Sequence, residues 1–512
     1  MPLGGRETSF MMNLFRKYKT SIYAVAILTL LNVFAHFLPF ERISLAPDDY
    51  IHVANVQDKS LSELFHLAWL SVDRPLNLLF INFQHKFIGL NTHMSLWLIL
   101  ITSTFLNLII YFLMVQLVQH EWLALLCSVF YLLMPNKLDL FHTPIYVNIN
   151  VVFALYILSF LLFISFVKRQ KKIFMGFSIL TYMLAIFWYE VGFCLPVILF
   201  FYAYLYDRNK LKFVFLFLIP MVFYVTYRFT GAFGLVESGA SHYVRSFSTI
   251  LYNFFIMAPN HYIGRYIIRA ILYALYRFPS IEMPWLSIII IGDFIVLYFF
   301  FNLLSKIENI KFDKRLIGLS FAVMIFFLLP NSLYIIESRH TALASIGFVC
   351  LFISFCYFIK INRRIVLSVV FLIFLIVSQG TAWNQVVACR IQNAVFQTIR
   401  ESKDAILKAD RVIIDQYSYA AHIPYTWGER SINMLDCYWG MQAFAPWGLS
   451  GMLNLTTGVS KTHYISRSPI KRVDEKLIFQ DYSLPIQGTL VIDYNTTYGK
   501  EGARYKNGNR IN

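Results

Sequence analysis

The sequence predicts an all-α polytopic membrane protein of about eleven transmembrane helices. Interfacial helices are expected in its extracytoplasmic loops, and a small α+β extracytoplasmic domain at the C-terminus. Three observations carry this reading. Of 512 residues, 58% are hydrophobic and 14% charged, with a mean hydropathy of +0.59; a soluble chain is about a quarter charged. The apolar residues gather into runs long enough to cross, or nearly cross, a bilayer. The Lys and Arg residues gather into short clusters between alternate runs, as the positive-inside rule requires.

The chain begins with a polar stretch holding Arg16, Lys17 and Lys19. The first apolar run follows over residues 21–40, and no small-residue cleavage site comes after it, so it is expected to remain as a span. Residues 41–93 form a long loop. Within it, residues 61–70 and 76–90 space their apolar residues like helices lying on the membrane. Further runs cover residues 95–118, 122–135, 145–167, 173–188, 191–206, 213–230, 285–304, 316–330, 341–359 and 365–383. The loop 231–284 opens with Gly231, Gly234 and Gly239. It continues into Tyr262–Tyr273, where Arg265 and Arg269 share one helical face. From Asn384 hydropathy drops, so residues 1–383 read as the membrane domain and 384–512 as a soluble one. There Arg411–Asp415 and Leu490–Asp493 look like short buried strands.

The basic clusters fix an orientation. Lys168–Lys172, Arg208/Lys210/Lys212, Lys306/Lys311/Lys314/Arg315 and Lys360/Arg363/Arg364 all fall on one side of this span pattern. The rule makes that side cytoplasmic, together with the N-terminus, and puts the C-terminal domain outside. An inner (plasma) membrane location follows. The net charge of +16 is explained by these clusters and not by nucleic acid, because no soluble basic domain or aromatic-basic motif accompanies it. Of six Cys, four fall in apolar runs; Cys389 and Cys437 fall in the tail, where an oxidising compartment would let them pair. No Cys or His spacing suggests a metal.

Four places carry charge where a membrane protein tolerates it poorly. Asp48-Asp49-Tyr50 follows the first run directly. The pair is either a functional acid site or a helix start. Asp73-Arg74-Pro75 sets a cation in an extended turn; Arg74 suits a phosphate, an acid of the site, or a bridge that merely holds the loop. Glu190 stands alone between two apolar runs, with Arg74 or Arg339 as partners, or else lies at the water interface. Arg339 and His340 precede a span, and a guanidinium fork there matches a lipid phosphate. Trp427, Trp439 and Trp447 with nearby Tyr residues form either a sugar-stacking face or the core of the tail domain.

Together these motifs resemble the GT-C superfamily of membrane glycosyltransferases, which use polyprenyl-phosphate sugars. Asp48-Asp49-Tyr50 resembles its first-loop acidic motif. Glu190-Val191-Gly192-Phe193-Cys194-Leu195-Pro196, and Leu329-Pro330 with Arg339 and Ser345-Ile346-Gly347-Phe348, resemble elements of the membrane O-mannosyltransferases that carry TPR repeats. This chain has no such repeats, and Tyr189 stands where that group has Lys. Size and tail are similar to bacterial serotype-converting O-antigen glucosyltransferases. The resemblance implies an inverting transfer of sugar from a polyprenyl phosphate to a hydroxyl of a surface glycan such as lipopolysaccharide O-antigen. Asp49, or Asp48, would be the general base. Arg339 with Arg74 would hold the phosphate, and Glu190 and His340 would bind substrate. A divalent cation on Asp48 and Asp49 is chemically acceptable, but no third ligand stands out. The rival reading is a transporter or flippase of lipid-linked sugars. It fits less well, because the charges lie at span ends and no internal repeat is visible.

Overall fold

The computed structural model describes residues 20–38, 47–70, 74–141, 144–230, 246–268, 270–272, 275, 278–307, 313–330, 341–358, 362–415, 446–459, 461–466, 468–493, 504–506 and 509–511. All eleven apolar runs of the sequence are helical. Among the described residues, six helices are long and apolar enough to cross a membrane. These include α1 (Thr20–Phe37), whose last turn widens to a π-helix over Val33–Phe37. The loop after α1 holds three short helices, α2 (Pro47–Val56), α3 (Leu61–Leu70) and α4 (Pro75–Ile88). The two stretches expected to be helical in this loop are helices α3 and α4, and the acidic motif is itself helical.

α5 (Thr92–Val118) starts where the Asn91 side chain accepts the Met94 N–H at 3.0 Å. It ends at Gln119, which takes the left-handed conformation (φ 56°). Its 27 residues extend about 40 Å, enough to cross a hydrocarbon core of about 30 Å at a tilt. α6 (Glu121–Leu133) is different. It is only 13 residues, about 20 Å, and every residue from Leu123 to Leu133 is buried. α6 is thus an inner helix of the bundle, wrapped by its neighbours on all sides. α7 (Val147–Arg169) and α8 (Lys172–Trp188) form a closely packed hairpin, and α9 (Leu195–Tyr206) follows a 3-10 turn at Glu190–Gly192.

α10 (Leu218–Thr230) completes a span that begins at Arg208. α11 (Phe247–Tyr252) leads into π-helical turns at Asn253–Met257 and Asn260–Ile268, the last of which overlaps the helical stretch expected at Tyr262–Tyr273. α12 (Met283–Ser305) is a full-length span on the outside of the bundle; Ile291, Phe294 and Tyr298 are among its many exposed apolar residues. Such a surface is stable only against lipid. α13 (Lys314–Leu328) packs along α14 (Ala342–Phe358).

α15 (Arg363–Glu401) does not stop where hydropathy drops near residue 384. It runs for 39 residues, about 58 Å, so its second half projects beyond any bilayer. Val395 and Ile399 on this polar half are buried. Then come α16 (Lys403–Lys408), β1 (Arg411–Asp415), α17 (Pro446–Thr457) and β2 (Thr462–Ser466). β3 (Lys471–Val473), β4 (Lys476–Phe479) and β5 (Tyr482–Pro485) make a small antiparallel sheet. β6 (Thr489–Ile492), β7 (Arg504–Lys506) and β8 (Asn509–Ile511) complete the larger one, in the order β2-β1-β6-β7-β8.

The expected strands at 411–415 and near 490–493 are β1 and β6, and they pair in parallel. β1 also pairs in parallel with β2, reached through α17. This β-α-β unit makes the tail more α/β in character than the α+β arrangement expected. Cys389 is buried on α15, and Cys437 lies outside the described residues.

α2 belongs to the core of this tail. Tyr50 and Val53 of α2 cluster with Val395 and Ile399 of α15 and with Leu449, Met452 and Leu453 of α17. The two helices touch backbone to backbone at Gly451, where a Cβ would lie 2.5 Å from the Ile51 nitrogen. Gly451→Ala should therefore cost about 1–3 kcal/mol through overpacking. Gly318→Ala on α13 meets nothing within 4 Å and should be neutral or gain up to about 1 kcal/mol of helix propensity. Thermal unfolding of both variants in one detergent checks the contrast.

Candidate functional site

The predicted site residues divide into two places along α4. Pro75 at its first turn fixes the start of the helix, and Arg74 is the N-cap. The Arg74 side chain makes no cap. It crosses to the α8–α9 turn, where Nε donates to Glu190 Oε2 at 2.9 Å and Nη2 to Oε1 at 2.5 Å. The guanidinium also lies 4.2 Å over the Tyr189 ring, whose backbone carbonyl accepts the Tyr156 hydroxyl at 2.7 Å. Burial works against the Arg74 charge, and Glu190 outweighs it, so Arg74 stays more firmly protonated than an ordinary Arg. Arg74, one of the two partners open to Glu190 in the sequence, does meet it, and the other, Arg339, lies outside the described residues.

The other end of α4 carries His85, eleven residues on, about 16 Å along the helix axis. His85 Nε2 is 2.8 Å from Asp49 Oδ1. Asp49 is fully buried and His85 nearly so. His85 Nδ1 lies 2.8 Å from the Ile81 carbonyl, which can only accept, so Nδ1 carries a hydrogen. His52, one turn along α2 from Asp49, stacks obliquely on His85 with ring centroids 5.4 Å apart. Burial, with His85 beside it, lowers the His52 pKa to about 4.

α4 is held in place by polar ties to its surroundings. Gln84 donates to the Pro144 carbonyl at 2.9 Å, Lys86 to the Gln57 carbonyl at 2.6 Å, and Asn148 bonds Asn77. Asp48 lies beside Asp49 on α2, with its side chain outside the described residues. Arg339 and His340 also lie outside them, as do Asp73, Arg269, Trp427 and Trp439 and the side chains of Arg265 and Trp447. Among the described residues, no group of three His, Cys, Asp or Glu side chains could hold a metal ion.

A second polar nest was not anticipated. It follows α6, just before α7. Lys137 is fully buried; its Nζ donates to the Leu132 carbonyl at 3.1 Å and lies 4.3 Å and 4.5 Å from the Tyr131 and Phe141 ring centres. His36 of α1 stacks on Phe141 at 3.9 Å and brings Nε2 to 3.1 Å from the same Leu132 carbonyl. Beside it Asn136 donates to Thr341 and Ser345, each at 2.7 Å, and Tyr262 donates to Ser345 at 3.2 Å. Thr341 follows directly on Arg339 and His340 in sequence. The signal in the sequence was Lys137 itself, a single basic residue in the short stretch between two apolar runs. His85 and His52 had no such signal, since their partnership with Asp49 depends on how α2 crosses α4.

Two outcomes follow from this geometry. Removing Glu190 alone should destabilise the protein, at the lower end of about 3–5 kcal/mol, because Arg74 loses its partner while both side chains keep some exposure (21% and 17%). The double variant R74L/E190L should recover much of that loss, as a double-mutant cycle on unfolding midpoints would reveal. His52 gives a pH effect of definite sign. The folded state resists protonation down to about pH 4, whereas the unfolded chain takes up the proton near 6.5. Stability should therefore fall as pH drops through this window, by about 3 kcal/mol in all. H52Q should flatten that part of the stability–pH curve.

Compared with known proteins, the chain matches no family model and has no significant sequence match among characterised proteins.

Proposed function

We propose that the chain is an integral membrane glycosyltransferase that moves a sugar from a polyprenyl-phosphate donor to a hydroxyl of an extracytoplasmic glycan. The observation that carries this is the fully buried carboxylate of Asp49 on the helix that follows the first span, hydrogen-bonded to His85. A carboxylate so placed is costly to maintain, and proton transfer is a use that repays the cost. The orientation belongs to the same reading: a cytoplasmic N-terminus, about eleven spans once the shorter apolar helices are counted, and an extracytoplasmic tail in the plasma membrane. The tail lies against α2 and so stands beside the acid, as a domain that receives a glycan acceptor would.

In this mechanism the acceptor oxygen attacks the anomeric carbon from the face opposite the phosphate. The bond to the phosphate oxygen breaks with its electron pair on that oxygen, and the configuration inverts. The acceptor proton passes to Asp49. A lipid phosphate leaves as a stable anion, so one base suffices where a glycosidase needs two carboxyl groups. His85 fixes the Asp49 carboxyl. The Arg74 fork is occupied by Glu190, which leaves Arg339 to steady the phosphate as charge builds.

The test is transfer of labelled sugar from polyprenyl phosphate in membranes, with protein amounts matched. Asp49→Asn keeps size and hydrogen bonding and removes the proton acceptor, so turnover should fall by about 10²–10⁴-fold with donor binding retained. Undiminished transfer in Asp49→Asn and in the double variant D48N/D49N would reject the acid pair as the base. Donor translocation without any transfer would favour the flippase reading.

A further inference from the structure

A second buried acid plays no part in that chemistry. Asp293 lies on α12, ten residues from its start, about 15 Å along the axis and so near the middle of a hydrocarbon core of about 30 Å. α12 shows lipid most of its surface, with Phe294 70% exposed. Asp293 turns the other way and is 8% exposed. It meets Gln379 of α15, whose Nε2 donates to Asp293 Oδ1 at 2.8 Å. At the same level Gly292 lets the Phe34 ring of α1 come so close that a Cβ would lie 2.3 Å from it. α12 is thus seated on α1 and α15 at one point, and that point contains the acid.

Among the described residues Asp293 makes no ion pair; its polar contact is Gln379. α12 carries no other ionisable acid or base between Met283 and Ser305 apart from tyrosine. α15 carries none between Arg364 and Cys389, and α1 holds only His36, which is engaged with Leu132 and Phe141. α6, which reaches α12 through Phe130 and Phe300, has Glu121, nine residues away from that contact, and the buried thiol of Cys127. The 3-10 turn Pro135–Phe141 also packs on α15 and carries Lys137, whose Nζ is directed to the Leu132 carbonyl and the Tyr131 and Phe141 rings. A bare carboxylate in such surroundings is the least favourable state of the group.

Gln379 supplies the independent observation. It is fully buried, and its Oε1 has no hydrogen-bond partner. An orphaned amide oxygen in a membrane interior calls for a donor. The carboxyl that already accepts from Nε2 has a second oxygen, and a proton on it would complete an eight-membered ring of two hydrogen bonds. If the amide were turned over, its oxygen would face Asp293 Oδ1 at hydrogen-bond distance, which again requires a proton between them.

We propose that Asp293 and Gln379 form a proton-binding site inside the membrane. Asp293 holds a proton on Oδ2, donates it to Gln379 Oε1 and accepts from Nε2, so that a neutral acid–amide pair latches α12 to α15. The pair satisfies every polar atom without a charge, which a lone carboxylate cannot do. It is independent of the transferase reading, since neither residue lies near Asp49 in the chain or takes part in that mechanism.

Infrared spectroscopy of the purified protein in lipid nanodiscs at neutral pH tests the site directly. The wild type minus D293N difference spectrum should contain the C=O stretch of a protonated carboxyl. Q379L removes both partners, so that band should move to higher frequency. D293N should keep the wild-type melting temperature, because its amide can both donate to and accept from Gln379, whereas D293L should lower it. A carboxylate doublet in place of the protonated band would overturn the proposal. So would a band unmoved in Q379L, or a D293N protein that fails to fold.

Discussion

The seating of α2 between α4 and α17 is the contact on which the functional half of this molecule depends. On one side the Asp49 carboxyl meets His85 at 2.8 Å. On the other, the backbone at Tyr50 and Ile51 rests against Gly451 with no room for a side chain. A ten-residue helix has little stability of its own, because nucleation is costly and few hydrogen bonds repay it. α2 is therefore held by its neighbours. Its apolar residues Tyr50 and Val53 are buried in the tail's core, and its acid is buried against the membrane part.

Much of the fold was legible because hydropathy is a strong signal in a membrane protein. Every apolar run became a helix, and β1 and β6 were readable from the short β-branched runs around Val412 and Val491. Length was less legible. α6, at 13 residues, is shorter than a usual span, and it is apolar on all sides because other helices surround it. A buried helix and a lipid-facing one have the same composition, and only packing separates them. The end of the membrane region was masked for another reason. Hydropathy falls near residue 384, but the chain keeps good helix formers and an apolar stripe through Val386, Val395 and Ile399. Polarity changed while periodicity did not, so α15 carries straight on and becomes the post on which the tail is mounted.

The site was legible in its charges and illegible in its neutral partners. Arg74 and Glu190 were conspicuous as isolated ions at span ends, and opposite charge made their meeting a natural alternative. Asp49 stood out for the same reason. His85 did not, because a histidine 36 residues away on an amphipathic helix has nothing to mark it until the crossing of α2 and α4 is known. Gln379 is harder still: an amide in an apolar run signals little until Asp293 is seen opposite it.

These buried ions show how chemistry can be separated from support. Arg74 and Glu190 cancel each other through a bidentate pair, and such a pair resists change because moving either ion exposes the other. Lys137 is held by a carbonyl and two ring faces. Asp49 and His85 differ in kind. A carboxyl and an imidazole face each other at 2.8 Å, the two side-chain types that most often serve as general acid and base. Burial strengthens the electrostatics of any proton transfer there, since charge is little screened. Among the described residues outside the spans, the buried Asp49–His85 pair has the chemistry that suits a proton transfer, and the ion pair at the other end of α4 is suited to keeping that helix in place.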